Sequence, residues 1–184
     1  MADLALGRRL MDRLEALARF SDDADGLTRL YLSTPHKLAA GALAGWMREA
    51  GLDVRLDAVG TLIGRYEGTA PGMPALLVGS HIDTVRQAGK YDGALGVLAA
   101  LTAVEVLSQV GDRLPFAIEV VAFGDEEGVR FPSTLRGSRA LAGTLDAATL
   151  DECDATGASV REGLIAFGAD PARLAEAAYP RGAA

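Results

Sequence analysis

At 184 residues and 49% hydrophobic content, the chain carries enough apolar material to bury the core of one domain and too much for an intrinsically disordered segment. Its formal charge of −7 and pI near 4.8, with no run of basic residues, argue against a surface that tracks nucleic-acid phosphates or anionic lipid and direct attention to small-molecule chemistry. The single cysteine, Cys153, excludes an intrachain disulfide, and its neighbours Asp151, Glu152 and Asp154 oppose thiolate formation, so no thiol chemistry is expected.

The opening MADLALGRRLMDRLEALARF sets apolar residues at helical spacing among charges and predicts an amphipathic helix over 3–20, with Leu4, Leu10, Leu14 and Leu17 on one side. It lacks the uninterrupted apolar stretch and small-residue cleavage site of a secretory leader, so a cytoplasmic location is expected. A second helix is predicted from Thr34, read as the cap, with Pro35 at the first helical position and Gly51 as the stop. His36 then falls in its first turn, as a surface or capping residue.

Alternating runs at 54–58 and 61–66 flank Val59-Gly60 and predict a hairpin. The apolar run 75–78 reads as a central strand ending at Gly79-Ser80-His81, followed by a polar, glycine-containing loop. A helix over 93–110 comes next. It is short for a membrane span and carries Glu105, so it reads as a buried helix. Gly111 and Pro115 stop it before a strand at 116–123. Strand, helix, strand makes a right-handed βαβ unit with parallel strands whose C-terminal ends share one rim of the sheet. Beyond Pro132 the pattern predicts helical pieces at 134–142, 158–167 and 171–178. The fold class is therefore α/β, a mixed central sheet with flanking helices.

That rim is where the chemistry gathers. VGSHIDTV, KYDGALGV and AFGDEEGVRFP place His81, Asp92 and Glu126-Glu127 just beyond strands or at a helix mouth, where open α/β sheets assemble their sites. Imidazole and carboxylate are the ligands of zinc-type sites, and hydrolytic two-metal centres share a ligand between ions about 3.5–4 Å apart. His81 is the candidate ligand of one ion, Glu127 of the other and Asp92 of both. Glu126 is the candidate general base, and Asp83, two residues after His81 on an extended segment, can orient the imidazole. Singly, each has a structural alternative: a bonded strand-end histidine, a helix cap, an exposed acidic turn. Together, in these positions, they favour a metal site. There is no Gly-x-Ser-x-Gly elbow, Walker loop or Gly-x-Gly-x-x-Gly turn, which leaves nucleotide binding by a doubly wound fold a weak rival.

The segments VGSHIDTV, GKYDGALGVLAAL and EVVAFGDEEGVRFPSTLRGSRALAG resemble the dinuclear zinc amidohydrolases that include allantoate amidohydrolases and N-carbamoyl-L-amino-acid hydrolases, with VRQAGKYDG and DEEGVRFPSTLRGSRALAG nearest the allantoate type. The resemblance implies a zinc-peptidase-like catalytic domain holding two divalent ions, zinc or manganese. In it His81 and Glu127 would be ligands, Asp92 the bridge, Glu126 the base acting on the bridging water and Asp83 a support. It further implies a small ureido substrate, no nucleic-acid or membrane partner and a homodimeric full-length protein. Thr61 departs from the asparagine that relatives often carry in a VGN-type turn. The family draws further histidine ligands from later segments, and a lid or dimerisation domain, that this chain does not contain. Residues 1–184 are accordingly expected to be the N-terminal part of one catalytic domain, binding metal weakly and inactive alone. An N-carbamoyl-L-amino-acid hydrolase or dipeptidase-like relative, and a noncatalytic binding or assembly module derived from such an enzyme, are the alternatives.

Overall fold

A computed structural model describes residues 2–180, 182 and 183. Asp53–Leu56 (β1) and Leu62–Tyr66 (β2) pair antiparallel across a turn in which Gly60 has φ of 75° and Asp57 Oδ1 accepts the N–H groups of Val59 and Thr61. Ala75–His81 (β3) and Ala117–Phe123 (β4) are parallel, in register from Ala75 opposite Ala117 to His81 opposite Phe123. β4 also pairs antiparallel with β2, giving one mixed sheet in the order β1-β2-β4-β3. β4 is central and buried from Ala117 through Ala122, as its apolar run requires.

Among the described residues the α-helices are Ala2–Ala18 (α1), Thr34–Glu49 (α2), Ala94–Val110 (α3), Arg136–Leu141 (α4) and Val160–Phe167 (α5). α3 links β3 to β4 in sequence and packs on both. It buries Val97, Leu98, Leu101 and Val104, and Gly111 ends it in the left-handed conformation with its N–H bonded to the Leu107 carbonyl. Glu105 on α3 is 5% exposed and pairs with Arg13 of α1 at 2.7 Å, so a carboxylate inside an apolar helix serves as the joint between two helices. No helix of the described residues is long and apolar enough to cross a membrane.

Three expectations are corrected. Ser33, not Thr34, caps α2: it is extended at φ −76° and its hydroxyl accepts the His36 N–H at 3.3 Å. His36 is no surface residue but 1% exposed, its Nδ1 accepting the Leu32 N–H at 3.1 Å and its ring 4.8 Å from that of Phe167. Burial lowers its pKa to about 3, so the ring is neutral at physiological pH. β3, expected as a central strand, is the outermost, with β4 between it and β2. The helical piece expected at 171–178 forms as a 3₁₀ segment, Pro171–Ala177, kinked at Arg173, and a further 3₁₀ segment, Ala147–Asp151, stands where no element was expected.

Candidate metal centre

His81 is the last residue of β3 and is 8% exposed. Its Nδ1 lies 3.0 Å from the carbonyl oxygen of Asp83. A carbonyl can only accept, so Nδ1 carries the proton and Nε2 is left with a free lone pair, the tautomer a metal ligand needs. The orienting group is thus the Asp83 carbonyl rather than its carboxylate, which is 3.7 Å from Nδ1 and instead accepts the N–H groups of Glu126 at 3.4 Å and Glu127 at 3.2 Å. Burial raises the Asp83 pKa, opposed by those N–H groups and by His81. Arg29, a residue to which the sequence assigned no role, supports the same loop: it is 1% exposed, and its Nε donates to the Ile82 carbonyl at 2.6 Å.

Asp92 precedes Gly93, the N-terminal cap of α3. Gly93 has φ of 64°, and a Cβ there would meet the His81 ring and carbonyl at 2.6 Å, so only glycine lets the helix start this close to the imidazole. No side chain caps α3, so the Asp92 carboxylate is not a helix cap. It is 57% exposed and approaches His81 Nε2 to 3.9 Å. From the turn after β4, Glu126 Oε2 reaches 3.6 Å from the same nitrogen.

His81, Asp92 and Glu127 each bring one potential ligand atom to within 4.8 Å of the others. Glu127 Oε1 is buried without a hydrogen-bond partner among the described residues. Its pKa is raised, first by burial, with His81 opposing and the charges of Asp92, Glu126 and Asp83 adding to the rise. A divalent cation fits this arrangement: it would pair the orphaned oxygen, offset the crowding of acids and accept the free imidazole lone pair. Nitrogen and oxygen donors suit zinc or manganese. Asp125 and Arg136, to which the sequence also assigned no role, are both fully buried behind the acidic turn and bonded to each other.

The model of Peptidase family M28 matches residues 61–179, a span holding every residue just described except Arg29. The chain is 46% identical over 177 residues to an N-carbamoyl-L-amino acid amidohydrolase of Geobacillus stearothermophilus, covering 96% of this chain and 43% of that protein. It is 45% identical over 154 residues to an allantoate deiminase of Arabidopsis thaliana, covering 83% of this chain and 29% of the relative. Among solved structures, a hydantoinase/carbamoylase family amidase from Burkholderia ambifaria superposes with a TM-score of 0.84 at 35% identity, over 89% of this chain and 41% of that one. The chain therefore spans less than half the length of these relatives while sharing their fold over nearly all of its own. With the family model matched over well more than half its residues, the chain belongs to Peptidase family M28.

Proposed function

We propose that the chain is part of the catalytic unit of a metal-dependent amidohydrolase that cleaves a C–N bond of a ureido compound. The convergence of His81, Asp92 and Glu127 around a buried, unpartnered carboxylate oxygen supports this most strongly. In this reading His81, Asp92 and Glu127 would hold the divalent ions, zinc or manganese, with Asp92 shared between the His81 and Glu127 sides. Bound ions would polarise the ureido carbonyl and make the attacking water more acidic. Glu126, with a 44% exposed side chain, takes the proton from that water and delivers it to the departing nitrogen. Water adds to the carbonyl carbon, the C–N bond breaks, ammonia leaves and the resulting carbamate loses carbon dioxide. Asp83 holds His81 in the ligand tautomer and fixes the backbone of the acidic turn.

We take allantoate as the first substrate to test, because VRQAGKYDG and DEEGVRFPSTLRGSRALAG resemble the allantoate type. The second is an N-carbamoyl-L-amino acid, favoured by the longer match to a relative bearing that name. Three clustered ligand groups are few for two ions, since catalytic zinc takes about three protein ligands and a water. We infer that further ligands come from outside this chain, and that residues 1–184 are a partial catalytic domain. A cytoplasmic, homodimeric whole protein completes the reading; the single exposed cysteine supports the location and the family resemblance the dimer.

Calorimetric titration of the metal-stripped chain with zinc and manganese tests the centre. Weak binding is expected, and His81→Ala or Asp92→Ala should each reduce it by about 10-fold or more. A folded parent that binds neither ion would overturn the metal reading and leave the noncatalytic module. Ammonia release from the two substrates at rates matching full-length relatives would overturn the inference that ligands are missing.

A further inference from the structure

The turn that carries Glu126 and Glu127 is built on backbone that L-residues adopt reluctantly. Asp125 and Leu135, neither of them glycine, both have φ of 60°. Such conformations persist only where the surroundings enforce them. Here the two are tied together: the Leu135 N–H donates to the Asp125 carbonyl at 2.7 Å, and the Thr134 hydroxyl donates to the carbonyls of Asp125 at 3.2 Å and Glu126 at 2.8 Å.

Behind the turn, Arg136 is wholly buried in the first turn of α4. Its Nη1 donates to the carboxylate of Asp125, equally buried, and to the Ser133 carbonyl at 2.7 Å, while Nη2 donates to the carboxylate of Glu152. On the other side the Asp83 carboxylate takes the N–H groups of Glu126 and Glu127. The acidic turn is clamped between a carboxylate on the histidine strand's loop and a guanidinium on α4.

Stability alone is a poor account of the Arg136–Asp125 pair. Asp125 Oδ1 and Arg136 Nε have no hydrogen-bond partner among the described residues, and buried ion pairs can often be replaced by apolar side chains with no loss of stability. What an apolar pair would not supply is a directional hold on residue 125, whose next two neighbours aim at His81. We infer that Arg136 and Asp125 are positioning residues that set the direction of Glu126 and Glu127 toward His81 and Asp92. This rests on the metal-site reading for its purpose; neither residue is a proposed ligand.

The test replaces the pair by Asp125→Leu/Arg136→Met. As a control, another buried ion pair, which joins α1 to α3 and touches no residue of the turn, is replaced by Arg13→Met/Glu105→Leu. Two readouts are taken: amide hydrogen exchange at Glu126 and Glu127 in the metal-free chain, and zinc affinity with the cobalt(II) absorption spectrum. Both double variants should melt cooperatively. Only the first should speed exchange at those two amides by about 10-fold and weaken zinc by about 10-fold, with an altered cobalt band.

A folded first variant with parental exchange and affinity would overturn the inference. If that variant does not fold, Asp125→Asn, which keeps the shape and removes the charge, carries the same readouts, and parental values there overturn it equally. A parent that binds no zinc would sink the metal reading, while exchange at Glu126 and Glu127 still decides whether the pair positions the turn.

Discussion

A single methyl group at residue 93 is a sharp probe of how the imidazole is held. Gly93→Ala forces a Cβ to 2.6 Å from the His81 ring and places alanine at φ of 64°. We expect about 1–3 kcal/mol of lost stability and at least about 10-fold weaker zinc binding, read by melting and titration; parental zinc affinity would show that the ring has room to move. His36 offers a test through pH. Its folded pKa, about 3, is below the unfolded value near 6.5, so the unfolded chain binds the extra proton and stability is lost as pH falls below that value. Between pH 7 and 5 the loss is about 2 kcal/mol. Asp57, its pKa raised by burial to about 6, works in the opposite direction, losing stability as pH rises through that value, so the comparison must be with His36→Asn. The stability difference between parent and variant should shrink by about 2 kcal/mol over that range in chemical denaturation; a constant difference would mean that His36 titrates normally. The two histidines were unequally legible in sequence. His81 was marked by the acids recurring at neighbouring chain breaks, whereas the burial of His36 depends on Phe167, far along the chain, and leaves no local sign.

At the scale of elements, periodicity located the pieces well because most owe their form to local pattern. The hairpin, β4, α1, α3 and α5 fall within a few residues of their expected bounds. β3 ends at His81 as expected, pairing with β4 carrying Gly79 and Ser80, weak strand formers, into the ladder. The helical piece expected at 171–178 forms as the 3₁₀ segment Pro171–Ala177, whose alanines and charges suit either kind of helix. Side-chain partnerships across elements were the least legible: nothing in the α3 sequence shows that Glu105 meets Arg13. That joint carries a prediction. Arg13→Met leaves Glu105 buried with only Arg9 at 3.6 Å and should cost about 2–4 kcal/mol in urea unfolding, while adding Glu105→Leu should restore most of it. Equal losses in single and double variants would show that the helices are joined by apolar packing around the pair.

For the molecule as a whole, β3 is the outermost strand among the described residues, its outer edge met by the Ala183 carbonyl at the Ala75 N–H but by no further strand. Leu76 and Val78 lie on the same face as the buried Ile118 and Val120, yet are 53% and 38% exposed. An apolar edge with no neighbouring strand invites strand addition. The chain should associate with rising concentration, and Leu76→Lys should suppress this in sedimentation velocity; a parent that stays monomeric at high concentration would contradict it. The strand order was invisible in the sequence, since alternation reports faces and not neighbours. That order governs how the chain reaches its native state. β4, last in chain order of the four described strands, is inserted between β2 and β3, so the hairpin and the histidine strand share no ladder until it arrives. A nascent chain that stops short of Phe123 has only β1 and β2 to pair. Closing the long loop from β3 to β4 is entropically costly and slow, and it is the same event that carries Glu126 and Glu127 to His81. Closure of the sheet and arrival of the two glutamates at His81 are therefore coupled, while His81 and Asp92, which both precede α3, can approach each other before β4 docks.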